Sequence, residues 1–202
     1  VQHAMDQDLQ SAGVMHEGEL ATRLGLTGIP VAAETAIIDR DIRLVELTGA
    51  RYHIHQISSG ESVEAVRQAK ARGLAVSCGV SAAHLMLNEN DVENYRTFAK
   101  LNPPLRSEDD RLALVDGLAD GTIDIVVSGH NPQDAEAKRQ PFAQAAYGTV
   151  GVETLLSVLL SLHHAHGLDL ATLIRTVTGH PARLLDIDGG TLRTGACADF
   201  AL

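Results

Sequence analysis

Polar side chains cluster where short apolar segments of this sequence stop. Residues 123–127 form a β-branched apolar run typical of a strand buried on both faces, and it ends in the turn Ser128-Gly129-His130. In parallel α/β folds, the chemistry is usually placed at the carboxyl ends of the strands. The sequence therefore predicts a site at this turn, with one histidine and with Gly129 where a carboxylate would be useful.

Further candidates lie at the ends of other predicted strands: His3, the group His53-Ile54-His55-Gln56, and Asn102 before two prolines. Histidines at two or three strand ends could ligate zinc. The competing interpretation for each is a packed or surface side chain, and we expect this of one of the pair His53 and His55. These two share one face of a strand, whereas Gln56 faces the other way. A rigidly held Asn102 could also bind a ligand carboxylate.

Three histidines at positions 163, 164 and 166 are interpreted as a helix end rather than as a metal cluster. They precede Gly167, a typical helix stop. Protonated imidazole is favoured at the negative end of the helix dipole. The acidic residues 108–110 likewise indicate the solvated start of a helix.

Composition excludes several classes of partner. The chain has 202 residues, of which 45% are hydrophobic and 21% charged, as expected for a globular protein with a sizeable core. The net charge of -10 argues against a nucleic-acid partner, which needs clustered Lys and Arg. No apolar run approaches the roughly 18 residues of a membrane span. Cys78 and Cys197 form no CxxC motif, which favours a reduced, cytoplasmic setting.

Periodicity predicts strands that alternate with helices. Ser58 and Glu61 have the spacing of a capping box at one helix start. Helices are predicted over residues 30–47, 58–73, 107–121, 150–166 and 170–185, and strands over residues 51–58, 74–80, 98–101, 123–127 and 190–202. Residues 1–3 are predicted as the end of a strand, followed by a loop through Gly28. This alternation is typical of an α/β fold with a parallel sheet.

The ends of the sequence predict a piece of a longer protein. It opens on Val1 without an initiator Met, and residues 198–202 are typical of the middle of a strand. A (β/α)8 barrel needs about 250 residues. We therefore expect this chain to supply the second half of such a barrel.

Three blocks of the sequence together resemble one family. They are RYHIHQISSGESVEAVRQAKARG, FAKLNPPLRSEDDRLALVDGLADGTIDIVVSGHNPQDAEAK and AYGTVGVETLLSVLL. They resemble dihydroorotase of the bacterial, long-chain type, a cyclic amidohydrolase of pyrimidine synthesis. The tail GGTLRTGACADFAL is similar to the ending in which amidohydrolases return to a small β-sandwich. The resemblance implies that residues 1–185 form the second half or more of an amidohydrolase barrel, and that residues 186–202 form the returning sandwich strand.

The resemblance also implies a reaction and a set of site residues. It implies a zinc-dependent hydrolase that interconverts N-carbamoyl-aspartate and dihydroorotate, with an Asp at the last barrel strand moving the proton. The family's His-x-His metal motif and bridging carboxylate would lie upstream of Val1. His3 matches a metal ligand, Asn102 a substrate-binding Asn, and Tyr147-Gly148 a segment whose backbone contacts the substrate.

Three positions depart from the family pattern. Gln56 stands where the family has its second strand-end metal histidine, and Gly129 stands where it has the catalytic, metal-ligating Asp. Gln133 replaces a substrate-binding His. Gln is a poor zinc ligand, and Gly offers no side chain. His55 adjoins the lost position, but strand alternation predicts that it faces the opposite way.

Two functions therefore remain open at this point. One is a working dihydroorotase with a reduced metal site that uses upstream ligands and His3. The other is an inactive, dihydroorotase-like subunit that serves as a structural partner of aspartate carbamoyltransferase, as some homologues do. The missing acid at Gly129 favours an impaired or inactive hydrolase. We expect a homo-oligomer in either case.

Overall fold

The computed structural model describes residues 1–199, and its regular elements alternate along the chain. The strands are β1 (Met15–His16), β2 (Gly28–Ile29), β3 (Tyr52–Ile54), β4 (Val76–Ser81) and β5 (Ile125–Val127). The α-helices are α1 (Gln7–Gln10), α2 (Glu19–Leu24), α3 (Ala32–Thr48), α4 (Gly60–Ala71), α5 (Ala82–Met86), α6 (Glu108–Ala119), α7 (Ala135–Lys138), α8 (Leu155–His166), α9 (Leu170–Val177) and α10 (Gly179–Leu185). Two 3₁₀ helices cover Glu89–Tyr95 and Thr97–Ala99.

A parallel sheet in the order β3-β4-β5 organises the molecule. Tyr52 pairs with Val76 at one end, and Ser81 pairs with Val127 at the other. Gln2 adds a parallel bridge to Ile54, so the first residues run beside β3. All of these segments point the same way, and their carboxyl ends therefore lie together at one edge of the sheet. The predicted α/β fold is confirmed, whereas the barrel and the β-sandwich stay predictions.

The main core lies between this sheet and the helices packed on it. Its buried side chains are mainly Ile, Val, Leu and Ala from α3, α4, α6, α8 and the strands. A smaller core lies beside it and includes Met15, Leu20, Leu105 and Phe142. Aliphatic side chains therefore supply most of the buried area, as the scarcity of aromatic residues in the sequence requires. No helix within residues 1–199 is long and apolar enough to cross a membrane.

A buried polar network shifts one predicted helix start by a residue. The Ser58 backbone N–H and hydroxyl both donate to the Glu34 carboxylate, and Arg106 Nε donates to Ser58 Oγ at 3.1 Å. The Ser58 side chain is therefore already hydrogen-bonded to Glu34 and Arg106. Ser59 caps α4 instead, by accepting from the Ser62 N–H. The predicted pairing of Ser58 with Glu61 is wrong, because it ignored this long-range carboxylate. By contrast, the acidic start predicted for α6 is confirmed as a capping box.

Two predicted strands are not found where the sequence placed them. Residues 98–101 instead overlap the end of the 3₁₀ helix Thr97–Ala99. Ala99 N–H donates to Arg96 O at 3.0 Å, and Lys100 N–H donates to Thr97 O at 3.0 Å. These local bonds replace a strand ladder. The tail contains no strand up to residue 199, and its last three residues lie outside the described part. The segment predicted as a loop before Gly28 contains the small parallel sheet of β1 and β2.

Candidate functional site

A cavity of about 530 Å³ lies at the carboxyl ends of the strands. The proposed site residues that line it are His3, His55, Gln56, Asn102, Ser128, Gly129, His130, Tyr147 and Gly148. They come from segments far apart in the sequence, and the parallel strands bring them to one edge of the sheet. The placement is therefore as predicted, although the roles of these residues stay predictions.

His3 and Asn102 contact one another across this cavity. His3 Nε2 lies 3.3 Å from Asn102 Oδ1. An amide oxygen only accepts hydrogen bonds, so in this arrangement Nε2 carries the imidazole proton. The Nε2 atom is then unavailable as a metal ligand, and only Nδ1 of His3 keeps a free lone pair.

His55 and Gln56 both line the cavity, contrary to the prediction that they face opposite ways. Strand alternation does not apply to them, because β3 ends at Ile54. Burial and the nearby His3 lower the pKa of His55, in that order, so its imidazole is neutral at pH 7. His55 therefore adds a neutral imidazole to the site, beside the position where Gln56 replaces the family histidine.

His53 is the packed member of the histidine pair. It is buried, and its Nδ1 lies 2.9 Å from Ser77 Oγ. Burial first, and then the charge of His55, lower the pKa of His53 to about 4. His53 is therefore a packed side chain, as we expected of one of the two histidines.

Gly129 and Gln56, two of the departures from the family pattern, meet in space. Gly129 has a φ of +62°, in the left-handed region that favours glycine. A Cβ placed on it would lie 3.8 Å from Gln56 Nε2 and 3.0 Å from Ser81 Cβ. Position 129 thus lies between two polar side chains, and Ser81 is too close for an easy substitution there.

The third departure, Gln133, is not in the cavity lining. Its Nε2 donates to Asn131 Oδ1 at 2.9 Å, and Asn131 Nδ2 donates to the Tyr147 carbonyl at 3.2 Å. The Gly148 N–H also has an internal acceptor, the carbonyl of Lys100 at 2.9 Å. The side chain at 133 and much of the Tyr147-Gly148 backbone are therefore engaged within the protein.

Two buried lysines hold the segment that carries Tyr147 and Gly148. Lys100 and Lys138 donate from Nζ to four main-chain carbonyls at 2.7–3.0 Å, those of Ala143, Ala145, Ala146 and Gly148. Lys100 Nζ also lies 4.5 Å from the centre of the Tyr147 ring. Burial lowers the pKa of both lysines. They fix one wall of the cavity without contributing a charge to its surface.

Sequence reasoning gave no role to two further residues of the cavity, Ser81 and His84. Ser81 is the last residue of β4 and caps α5, and its Oγ lies 2.7 Å from His84 Nδ1. His84 Nε2 lies 3.1 Å from the Pro103 carbonyl. Burial lowers the pKa of His84 to about 4. In the sequence, these two residues could have been noticed by their spacing, because a serine at the end of a predicted strand is followed three residues later by a histidine.

The described residues do not form a zinc site. Within residues 1–199, no three His, Cys, Asp or Glu side chains are grouped closely enough to hold a metal ion. A zinc site needs at least three protein ligands. His3 and His55 could supply two of them, and others would have to come from outside this chain. His163 binds the Leu168 carbonyl at the end of α8, away from the cavity, as predicted for a helix terminus.

Comparison with known proteins places this site in a family. The sequence model described as Dihydro-orotase-like matches residues 1–62. The dihydroorotase of Anaeromyxobacter dehalogenans strain 2CP-C is 48% identical over 202 residues, covering 99% of this chain and 47% of that protein. The dihydroorotase of Anaplasma phagocytophilum strain HZ is 42% identical, covering 100% of this chain and 45% of that protein. The chain thus spans about half the length of these curated relatives.

Solved structures agree with this assignment. The L-hydantoinase (dihydropyrimidinase) from Arthrobacter aurescens superposes with a TM-score of 0.82 at 27% identity, over 98% of this chain and 46% of its own. A dihydropyrimidinase from Brevibacillus agri superposes with a TM-score of 0.85 at 22% identity, a likeness of fold alone. By its sequence, this chain is similar over its full length to part of these dihydroorotases, and its residues 1–62 match the Dihydro-orotase-like family model.

Proposed function

We propose that this chain forms part of a dihydroorotase-family protein that keeps the ligand cavity but is impaired as a hydrolase. One observation carries the proposal: none of the described residues that line the cavity is an Asp or Glu. Hydrolysis of a cyclic amide needs a group that takes a proton from water and passes it to the leaving nitrogen. Gly129 occupies the position where the family's Asp would do this, and it has no side chain.

The family name supports the substrate class. The relatives named dihydroorotase suggest a ligand of pyrimidine biosynthesis, N-carbamoyl-aspartate or dihydroorotate. Asn102 reaches the cavity through its side chain and could contact such a ligand. We propose weak or absent turnover, because loss of a general base costs about 10² to 10⁴ in rate.

The alternative is an active enzyme whose metal site is completed from outside this chain. His3 and His55 favour it, since both line the cavity and the lowered pKa of His55 leaves that imidazole neutral at pH 7. Zinc ligands from the rest of a longer chain would have to join them. This alternative still leaves the proton transfer without its usual carboxylate.

A structural role is a further proposal, because the described surface carries exposed apolar side chains. Three of them are spaced four residues apart: Val152 in the turn before α8, and Leu156 and Leu160 on α8. Their exposed fractions are 60%, 55% and 37%. Such a stripe is typical of a surface that packs against another chain or another part of the same one. Aspartate carbamoyltransferase is the proposed partner, as for other dihydroorotase-like subunits that lack activity.

Elemental analysis and a dihydroorotate hydrolysis assay on one sample of the natural full-length protein test the proposal. We expect the protein to be folded, with substoichiometric zinc and little or no hydrolysis. Stoichiometric zinc together with rapid turnover would overturn it and establish the active alternative. A folded, inactive protein that co-elutes with aspartate carbamoyltransferase in size-exclusion chromatography would add support for the structural role.

A further inference from the structure

We propose that the space left by the missing side chain at position 129 binds a neutral amide group, which Ser81 and Gln56 hold without a metal ion. This inference rests on the proposed function, and it specifies how the impaired site would still recognise a ligand. It assigns a binding role to Ser81, supported by His84, which the family comparison does not assign. The space adjoins both side chains, as the distances from position 129 show.

The direction of the hydrogen bonds around His84 fixes the role of the Ser81 hydroxyl. A carbonyl oxygen only accepts, so His84 Nε2 carries the proton that it shares with Pro103 O at 3.1 Å. His84 is buried and neutral, and its Nδ1 therefore has a free lone pair. The Ser81 hydroxyl donates its only proton to that nitrogen at 2.7 Å. Ser81 Oγ is consequently left as an acceptor.

Gly129 leaves this acceptor uncovered. A Cβ on residue 129 would lie 3.4 Å from Ser81 Oγ, and any longer side chain would extend over the hydroxyl or into the cavity. Ser81 is only 2% exposed, but it is one of the residues that line the cavity. One lone pair of Ser81 Oγ accepts from the His84 backbone N–H at 3.4 Å, and an occupant of the space would meet the other.

Gln56 supplies the complementary group on the other side of the same space. Its Nε2 lies 3.8 Å from the position of the missing Cβ. Its side-chain amide makes no hydrogen bond within residues 1–199, whereas Asn102, Asn131 and Gln133 are all engaged. A free amide donor and a hydroxyl acceptor thus flank one small volume.

These two groups match an amide N–H and its carbonyl. The ligand N–H would donate to Ser81 Oγ, and the ligand carbonyl would accept from Gln56 Nε2. No Asp, Glu, Lys or Arg is among the described residues lining the cavity. The space beside Ser81 and Gln56 therefore suits the neutral ring of a ligand rather than its carboxylate. The ligand class is a small neutral amide or ring ureide, such as the ring of a dihydropyrimidine.

The test measures binding of 5,6-dihydrouracil to the natural full-length protein in the presence of EDTA, by calorimetry or ligand-observed NMR. Dihydrouracil has the ring amide but no carboxylate, so it probes this space alone. We expect measurable binding without metal, and a loss of about 3- to 10-fold in affinity for Ser81→Ala, the effect of one neutral hydrogen bond. Gln56→Ala is expected to show a similar loss and does not disturb the buried pair.

Ser77→Ala is the matched control. Ser77 Oγ makes the same kind of contact, 2.9 Å from His53 Nδ1, on the same strand but outside this cavity. Ser77→Ala should therefore cost stability in the way that Ser81→Ala does, without changing dihydrouracil affinity. Ser81→Thr keeps the hydroxyl and should retain binding.

The outcomes separate this inference from the proposed function. No binding in EDTA, binding that returns only with zinc, or equal affinity for the parent, Ser81→Ala and Gln56→Ala would overturn the amide site. If Ser81→Ala fails to fold, Gln56→Ala decides alone. Hydrolysis and zinc content, measured on untreated protein, judge the impaired-hydrolase proposal separately. A zinc-loaded, active protein that still loses metal-free binding in Ser81→Ala would refute that proposal and leave this inference intact.

Discussion

At the scale of single residues, the backbone conformation at position 129 matters as much as the absence of a side chain there. Gly129 has a left-handed φ of +62°, and a Cβ there would press on Ser81. A left-handed conformation costs an ordinary L-residue about 1–2 kcal/mol. Restoring the family's Asp by a single substitution therefore adds strain before it adds chemistry.

The first prediction concerns restoration of the three altered positions. Replacing Gln56→His, Gly129→Asp and Gln133→His in the full-length protein should raise zinc content toward about one ion per chain, because zinc binding needs only the ligands. Turnover should recover less, since proton transfer also needs the new carboxylate at position 129 in the correct orientation, and Ser81 crowds that position. Elemental analysis and the hydrolysis assay on the same samples check both parts.

Gly49→Asp is the stability control for that experiment. Gly49 has a φ of +69° and nothing within 4 Å of an added Cβ, so the variant carries the backbone strain without the crowding. Gly129→Asp should be the more destabilised of the two. A restored triple variant with no more zinc than its parent would show that these residues were matched wrongly to the family site.

At the scale of elements, the sequence predicted what local pattern determines and missed what distant contacts determine. The acidic start of α6 is a local pattern, and it is confirmed. The start of α4 depends on Glu34, 24 residues away from Ser58, and no local pattern reveals it. The predicted orientation of His55 was wrong, because it assumed strand geometry at a residue that lies beyond the end of β3. The cavity location was predictable, since parallel strands bring their ends together.

The second prediction tests the buried network that joins α3, α4 and the segment before α6. Arg106 is 2% exposed, and its Nη1 donates to the Ile29 carbonyl at 2.7 Å while Nε donates to Ser58. Arg106→Met should lower the free energy of unfolding by about 3–5 kcal/mol, because Ser58 Oγ and the Ile29 carbonyl lose a buried charged donor and Glu34 loses a nearby positive charge. Urea denaturation measures the change.

Arg96→Met is the control for this prediction, since Arg96 is exposed. It should change the free energy of unfolding by less than about 0.5 kcal/mol. The double variant Glu34→Leu with Arg106→Met should regain part of the loss by removing both charges. If Arg106→Met is no less stable than Arg96→Met, the network does not hold these elements together.

At the scale of the whole molecule, the described residues form a three-stranded parallel sheet with an open edge at β5. β5 is an edge strand within residues 1–199, and such edges are usually covered in native proteins. The curated relatives are about twice as long, which supports the prediction that further strands complete a barrel. The β-sandwich and the cytoplasmic location stay predictions, because neither depends on contacts among the described residues.

The third prediction is a pH dependence of overall stability. The pKa values of His53 and His84 are lowered to about 4 in the folded protein, against 6.5 for an unperturbed histidine. Between these two values the unfolded chain binds protons that the folded chain does not. The free energy of unfolding should therefore fall as the pH drops from about 6.5 to about 4, by at most about 1.4 kcal/mol per pH unit for each histidine.

Urea denaturation at half-unit steps of pH measures this slope. His53→Gln removes one titrating group that lies outside the cavity, so its slope should be shallower than that of the parent, while His84, His55 and His16, whose pKa values are also lowered, keep the remainder. A slope unchanged in His53→Gln would contradict the assignment of this acid sensitivity to the buried histidines.

The lysine pair beside the cavity has a consequence for how the site responds to its surroundings. Lys100 and Lys138 stabilise four carbonyls of the 143–148 segment with cations that are covalently part of the chain. A chelator cannot extract these cations, and dilution cannot dissociate them. This wall of the cavity is therefore held by the chain itself, and its shape does not depend on a bound metal ion.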